Sequence, residues 1–469
     1  MTDETDLIVV GAGSAGAATA IAARDLGAEV VLLEKSAAPG GNCRYSGGNL
    51  LELAGPDGLA HLQALAFGRT PVPVLAAYLE GLGTLRGWLE KLGAVTSTTG
   101  PGGRVEHCWP NLPGADAVRF YGVQGPDGQG RALWRVLESA LAERSIEPAC
   151  QARVTELLTG HGRVTGVRAD IAGGIRTIRA RAGVVLAAGG FENSAQLCDA
   201  YLPVGSVQAI SHPDNTGDGL LMAQAVGASV WHMSNYFGFW SFRAPEHPVA
   251  FGITPPAAGY LIIDGGGRRF AAEAGRETHD RLRILGDFSP ARRHTPGFPV
   301  HLVFDANTLH AGPLSRFASP NGYQWSQDNS VELKAGWIST AATVTALAGQ
   351  LAVPPGVLAG TVAAFNSAAA SGTDTEFGRP ADSMRPLADG PLYTIPLLPG
   401  VATTAGGPRR DEKARVLGQS GEPIAGLYAV GDTGSIWGHI VEHGSALTDG
   451  LVFGRIAAAD ALGQGSSGL

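Results

Sequence analysis

The chain has 469 residues, 44% of them hydrophobic and 16% charged, with 68 glycines; such a composition reads as a loop-rich α/β enzyme of more than one domain and excludes a disordered or fibrous chain. A formal charge of −8 leaves no basic face for a nucleic acid backbone, and no apolar run reaches membrane-spanning length. Cys43, Cys108, Cys150 and Cys198 form no C-x-x-C pair, so neither a metal site nor a disulfide framework is expected and a cytoplasmic setting fits.

In chain order, the first predicted element is the β-branched run DLIVV from Asp6, too near the N-terminus for a signal peptide to precede it. GAGSAG follows at once and opens an alanine-rich helix, giving strand, turn and helix. Gly11 permits the tight turn, Gly13 lets backbone approach a pyrophosphate, and Gly16 allows close helix packing, with Ser14 and Ala15 at the helix start offering amides to the phosphates. The second strand, EVVLLEK, ends on Glu34 and Lys35, about 20 residues further on, where a carboxylate can accept from a ribose diol. These elements predict dinucleotide binding, with NAD and FAD equal readings at this point.

APGGNCRYSGG, Ala38–Gly48, is too rich in glycine to pack as an element and is suited to wrapping a ligand. Downstream come ARVTELLTGHGRVTGVRAD, VVLAAGGFENS and TGDGLLMAQAVGA; near the C-terminus GLYAVGDTG reads as strand and turn, and GSALTDGLVFGRIAAADAL as turn and helix. These segments, in this order, resemble the flavoproteins of the fumarate reductase and succinate dehydrogenase superfamily, which includes 3-ketosteroid and tricarballylate dehydrogenases. The resemblance implies noncovalent FAD, since no histidine stands among Gly40, Gly41 and Asn42 to bond it. It places Gly41, Asn42, Ser46, Gly47 and Gly48 on the flavin, Val154 at the adenine on a β-hairpin, Ala188 and Gly189 in a glycine turn, and Asp218 at a helix start. It further puts Asp432 on the ribityl chain and Ser445, Ala446 and Leu447 along the isoalloxazine.

From Met233 to about Gly400 the pattern turns irregular, with the aromatic cluster NYFGFWSF and many prolines. LIIDGGGRRFAAE resembles the superfamily's capping-domain segment, with Glu273 structural. The fold expected is therefore α/β: a Rossmann-like, glutathione-reductase-type FAD-binding domain over 1–232 and 401–469, with an α+β capping domain inserted over 233–400.

The best-known members of the superfamily differ at their catalytic positions. Fumarate reductases have a histidine where Thr403 stands, an arginine where Val441 stands, and a cap arginine that would fall at Glu277, one step from Arg276. Steroid 1-dehydrogenases have a tyrosine at the place of Val441. The C-terminal loop instead offers His439, Glu442 and His443, a density of proton-transfer groups that makes His443 and Glu442 the leading catalytic candidates, with backbone hydrogen bonding around a glycine turn as the equal alternative for His443. His279 in RETHDR and Tyr236 beside Phe237 are the cap candidates, with a surface role for the histidine and a core role for the tyrosine as alternatives. Arg409 and Arg410, in an R-R-D-E-K run, read as a solvated turn.

The function implied is an FAD-dependent dehydrogenase or ene-reductase on a CH–CH bond next to a carbonyl or carboxylate, acting on a small molecule with an electron donor or acceptor still to be identified. The alternatives are a flavin-supported isomerising or aromatising enzyme and a flavin-binding protein without turnover.

Overall fold

The computed structural model describes residues 3–98, 108–126, 128–275, 277–286, 297–316 and 322–464. The chain divides into two compact units, Met1–Leu202 with Asp214–Tyr236 and Thr403–Leu469, and Pro203–Pro213 with Phe237–Ala402. The excursion Pro203–Pro213 lies within the stretch expected to belong to the first domain. It joins the second unit because its strand Gln208–Ala209 pairs in parallel with Gly400 and Val401.

The first unit opens with β1 (Glu4–Val10), α1 (Ser14–Asp25) and β2 (Val30–Leu33). A smaller layer follows: β3 (Asn49–Glu52), α2 (Gly55–Ala66), α3 (Val72–Lys91), β4 (Thr96–Ser97), β5 (Arg119–Val123) and α4 (Gln129–Glu143), with sheet order β3-β5-β4. An antiparallel meander completes the middle of the unit: β6 (Ala152–Gly160), β7 (Arg163–Ile171) and the longer β8 (Gly174–Leu186). β8 then runs parallel to β1, which lies between it and β2. The strand Pro423–Ala429 adds in parallel to the other edge of β8.

Ile8 and Val9 are both fully buried, so both faces of β1 are covered, as a central parallel strand requires. In register, Val10 sits opposite Leu33 and Leu186, and Leu186 opposite Ala429. Four strands thus end side by side, and the segments that leave them are Gly11–Gly16, Glu34–Ser36, Ala187–Gly190 and Val430–Gly434. The carboxyl ends of a parallel sheet are where an open α/β fold binds its ligand.

The second unit is α+β. Its sheet runs in the order Phe251–Gly252, Tyr236–Phe242, Leu392–Thr404, Val300–Asp305, Tyr260–Ile263. Leu261, Ile263, Val303 and Leu392 pack with Leu358, Val362 and Phe365 of the helix Pro355–Ser371. Glu273 lies in a buried ion network: Arg269 reaches it at 2.8 Å and Asp374 at 2.8 Å, and Arg379 reaches it at 3.1 Å. Pairing every charge offsets the cost of removing each from water.

Candidate active site

The three glycines of the first turn face different surroundings. A Cβ on Gly11 would lie 2.4 Å from the Ala187 carbonyl oxygen, and one on Gly16 only 1.9 Å from that of Gly11, so both are required by close packing. A Cβ on Gly13 would meet nothing within 4 Å, and Gly41 of the next loop passes just beside it. The first turn of α1 carries no capping side chain and no acidic residue, leaving its amides to an anionic ligand. A cradle open at Gly13 and closed at Gly11 and Gly16 fits a pyrophosphate.

Glu34 is 8% exposed and is fixed by two backbone amides: Ala12 N donates to one carboxylate oxygen and Ser36 N to the other, each at 2.8 Å. Each oxygen retains a further lone pair, which suits a ribose diol. Lys35 Nζ donates to Thr216 at 2.7 Å and to Asp218 at 3.2 Å, and Arg153 reaches Asp218 as well. Burial works against ionisation of Asp218, but Lys35, Thr216 and Arg153 outweigh it and hold its pKa below the usual carboxylate range. The Val154 side chain is 4% exposed and packs with Val10 and Leu33 in the core.

Gly41–Tyr45 forms a short helical turn that brings Asn42 to within 3.5 Å of Glu192. Ser46 closes that turn by donating to Cys43 O; Gly47 is exposed and Gly48 is buried. Sequence reasoning missed Glu192. It is 3% exposed and accepts from Asn215 at 2.8 Å and Thr404 at 3.2 Å, while Thr404 accepts from Phe191 N. Thr433 donates to Gly189 O at 3.0 Å, tying the glycine turn after β8, which includes Ala188, to the segment after Ala429. Asp432 stands there with its pKa raised to about 7, by burial first and then by the charge of Glu192.

The segment after Asp432 is held through its carbonyls, one after another. Trp231 Nε1 donates to Gly434 O at 3.2 Å, His232 Nδ1 contacts Ser435 O at 2.9 Å, and Thr70 donates to Ile436 O at 2.6 Å. Asn235 donates to Trp437 O at 2.5 Å, and Arg69 to Gly438 O at 3.2 Å. Further on, Ile440 N donates to Leu65 O and Trp109 Nε1 to Val441 O at 2.7 Å. Gly444 then caps the helix Ser445–Ala461 in a left-handed turn with φ 75° and no side-chain cap; Ser445 N donates back to Glu442 O at 3.3 Å, and the next amides of the first turn are those of Ala446 and Leu447. Ser445 is buried and donates to Glu442 O.

The loop's polar residues have distinct surroundings. His439 stacks on Phe67 and His443 meets the edge of Phe120, both only partly buried. Glu442 is 2% exposed, with one oxygen at 3.1 Å from His61 Nε2 and the other accepting from Cys108 N at 3.0 Å. Tyr236 is 1% exposed at the start of a fully buried strand. The helical turn Thr278–Leu285 contains His279, but the His279 side chain and Arg276 lie outside the described residues.

The expectation of a solvated turn at Arg410 is corrected. Arg409 is exposed, but Arg410 is fully buried: it pairs with Asp449 of the final helix, donates to Ala429 O at 3.1 Å, and lies 4.2 Å over the Phe453 ring. A charge run predicts exposure only when no buried counter-ion awaits one of its members, and Asp449 lies far along the chain.

The FAD binding domain family description matches residues 6–447. A probable fumarate reductase, Ifc3, of Shewanella frigidimarina is 29% identical, the match covering 97% of this chain and 74% of that protein. The 4-oxocyclohexanecarboxylate 2-dehydrogenase of Sinomonas cyclohexanicum is 29% identical over 98% of this chain and 93% of its own. Among solved structures, the 3-ketosteroid Δ1-dehydrogenase of Sterolibacterium denitrificans superposes with a TM-score of 0.85 at 24% identity, covering 98% of this chain and 100% of that one. No helix among the described residues is long and apolar enough to cross a membrane. With an open turn at Gly13 that fits a pyrophosphate, a carboxylate at Glu34 fixed by two amides and a family match over nearly the whole length, the chain belongs to the FAD binding domain family and is an FAD-dependent oxidoreductase.

Proposed function

We propose that the enzyme oxidises or reduces a CH–CH bond beside a carbonyl or carboxylate of a small molecule, with His443 moving the proton at the neighbouring carbon. Bound FAD supplies the hydride chemistry; Gly13, the first turn of α1, Glu34 and Asp432 would hold it. The observation that carries the reading is the contrast within one loop: Glu442 is bound on both oxygens in the interior, while His443 beside it is only partly buried. Imidazole, the side chain whose ordinary pKa lies nearest neutrality, suits a proton carrier.

Val441, without a charge or hydroxyl, offers no clamp for a second carboxylate, which favours a ketone or monocarboxylate over fumarate. Substrates of the two matched relatives and a 3-oxosteroid form the natural test panel. With whichever of them changes the absorbance of the bound flavin anaerobically, His443→Gln is expected to lower kcat by about 100-fold or more with FAD still bound. Native kcat in that variant would remove His443 from the mechanism.

A further inference from the structure

His61 and Glu442 stand 381 residues apart in sequence and share no motif, yet both side chains have no exposure at all. The direction of each hydrogen bond around them is fixed by chemistry. His61 Nδ1 lies 3.1 Å from the Pro113 carbonyl oxygen, which only accepts, so Nδ1 carries a hydrogen. On the other side of the ring, Nε2 lies 3.1 Å from a carboxyl oxygen of Glu442. A neutral imidazole protonated at Nδ1 presents only a lone pair at Nε2, and an ionised carboxylate presents only lone pairs. Two acceptors do not face each other at that distance in a dry interior.

One proton therefore lies between them, giving either imidazolium with carboxylate or imidazole with carboxylic acid, and the pair is neutral overall in both forms. The second oxygen of Glu442 accepts from Cys108 N. α2 and the residues after it thus meet the C-terminal segment repeatedly: His61 at Glu442, Leu65 at Ile440, Arg69 at Gly438 and Thr70 at Ile436.

We infer that His61 is a positioning residue that, with Glu442, forms a buried dyad retaining a single proton and pinning the Gly438–Gly444 loop against α2, so that Glu442 is not the proton carrier of the reaction. The part concerning the reaction rests on the proposed CH–CH chemistry; the part concerning the loop does not. A glutamine at 442 can reproduce both contacts, its amide donating to His61 Nε2 and its carbonyl accepting from Cys108 N, without an acidic proton. Alanine at 442 leaves His61 Nε2 and Cys108 N unsatisfied, and alanine at 61 leaves a buried carboxyl without its partner.

The test compares His61→Ala, Glu442→Ala, Glu442→Gln and the double alanine variant. Two readouts need no substrate: the FAD dissociation constant from fluorescence titration of apoprotein, and the visible circular dichroism of the bound flavin. A third is kcat and KM on the panel member that the native enzyme turns over. The single alanine variants are expected to weaken FAD binding by about tenfold or more and to alter the flavin dichroism. The double variant should be no worse than Glu442→Ala alone, because the two residues act as one unit. Glu442→Gln should restore native dichroism, FAD affinity and kcat to within about threefold of native, a single conserved hydrogen-bond set being kept.

Native FAD affinity and dichroism in His61→Ala would overturn the positioning role. A Glu442→Gln enzyme with native dichroism but the kcat of Glu442→Ala would overturn the statement about proton transfer, since it would show the acidic proton itself to be needed. Should the alanine variants fail to fold, Glu442→Gln still judges proton transfer, a fall in kcat of about 100-fold or more with native dichroism overturning it. His61→Gln, whose side chain cannot meet Pro113 O and Glu442 at once, then takes the place of His61→Ala, native FAD affinity and dichroism again overturning the positioning role. Should no panel member be turned over, the CH–CH reading fails while the flavin readouts still judge the dyad.

Discussion

Gly13→Ala and Gly16→Ala add the same methyl group within one turn of α1 and should fail in different ways. At Gly16 the new carbon would stand 1.9 Å from Gly11 O and 3.0 Å from Gly11 C, both backbone atoms. Contacts below 3.0 Å are not sustained, so α1 must retreat from the turn by about 1 Å. Nine buried residues of α1 would move with it. Overpacking against backbone, which cannot give way as a side chain can, belongs at the upper end of the usual range, about 3 kcal/mol or more, and leaves about 2 kcal/mol net of the gain of about 1 kcal/mol for alanine over glycine in a helix. At about 2–4 °C per kcal/mol, the apoprotein midpoint should fall by several degrees. At Gly13 the methyl touches no protein atom, and φ −81° with ψ −169° is open to alanine. That apoprotein should melt within about 1 kcal/mol of native, the usual cost of a poorer N-cap. Its methyl would, however, occupy the open space beside the uncapped start of α1, where the pyrophosphate is proposed to lie. Losing one or two charge-assisted hydrogen bonds, at about 1.5–3 kcal/mol each, should weaken FAD binding by about 10-fold to over 100-fold. Differential scanning fluorimetry of the apoproteins and fluorescence titration with FAD separate the two effects. Native FAD affinity in Gly13→Ala would refute the placement of the pyrophosphate, and a native midpoint in Gly16→Ala would refute the packing argument.

Two further outcomes follow from buried charge. Asp449→Ala leaves Arg410 without its partner and Ile436 N without its acceptor; a broken buried pair costs about 3–5 kcal/mol, so the midpoint should drop by about 6 °C or more, while Arg410→Met combined with Asp449→Leu recovers most of the loss. Calorimetry showing an unchanged midpoint in Asp449→Ala would count against the pairing. Asp432, whose pKa rises from 3.8 to about 7 on folding, keeps in the folded apoprotein a proton that the unfolded chain has released. Its contribution to stability therefore falls as pH rises from about 4 to about 7 and is flat above that, with a slope of up to about 1.4 kcal/mol per pH unit. Asp432→Asn should lose that slope; denaturation curves parallel to native from pH 5 to 8 would contradict it.

What the sequence could reveal was what lies close together in it. The turn from Gly11 to Gly16 and the carboxylate of Glu34 belong to one strand, helix and strand, and that local arrangement follows from spacing alone. The predicted hairpin is realised as β6 and β7, with its turn at His161 and Gly162. The role of Arg410 was misread because its counter-ion is 39 residues further on, inside a helix. Glu192, lying in a loop just after a recognised glycine pair, drew no attention because its partners Asn42, Asn215 and Thr404 come from three separate segments. His61 is hidden in the same way: a lone histidine on a helix carries no signal until folding brings Glu442 to it. The excursion of Pro203–Pro213 into the second unit rests on a two-residue strand, too short for any periodicity to mark.

The central claim, an FAD-dependent exchange of hydride with a CH–CH bond, is tested most directly by following the visible absorbance of the purified flavoprotein under anaerobic conditions. The oxidised enzyme would be mixed with 4-oxocyclohexanecarboxylate and with a saturated 3-oxosteroid, and the chemically reduced enzyme with the corresponding enones and with fumarate. The account predicts that at least one saturated ketone bleaches the flavin band or at least one enone restores it, with fumarate the weaker oxidant. A band unmoved in both directions by every member of the panel would contradict it.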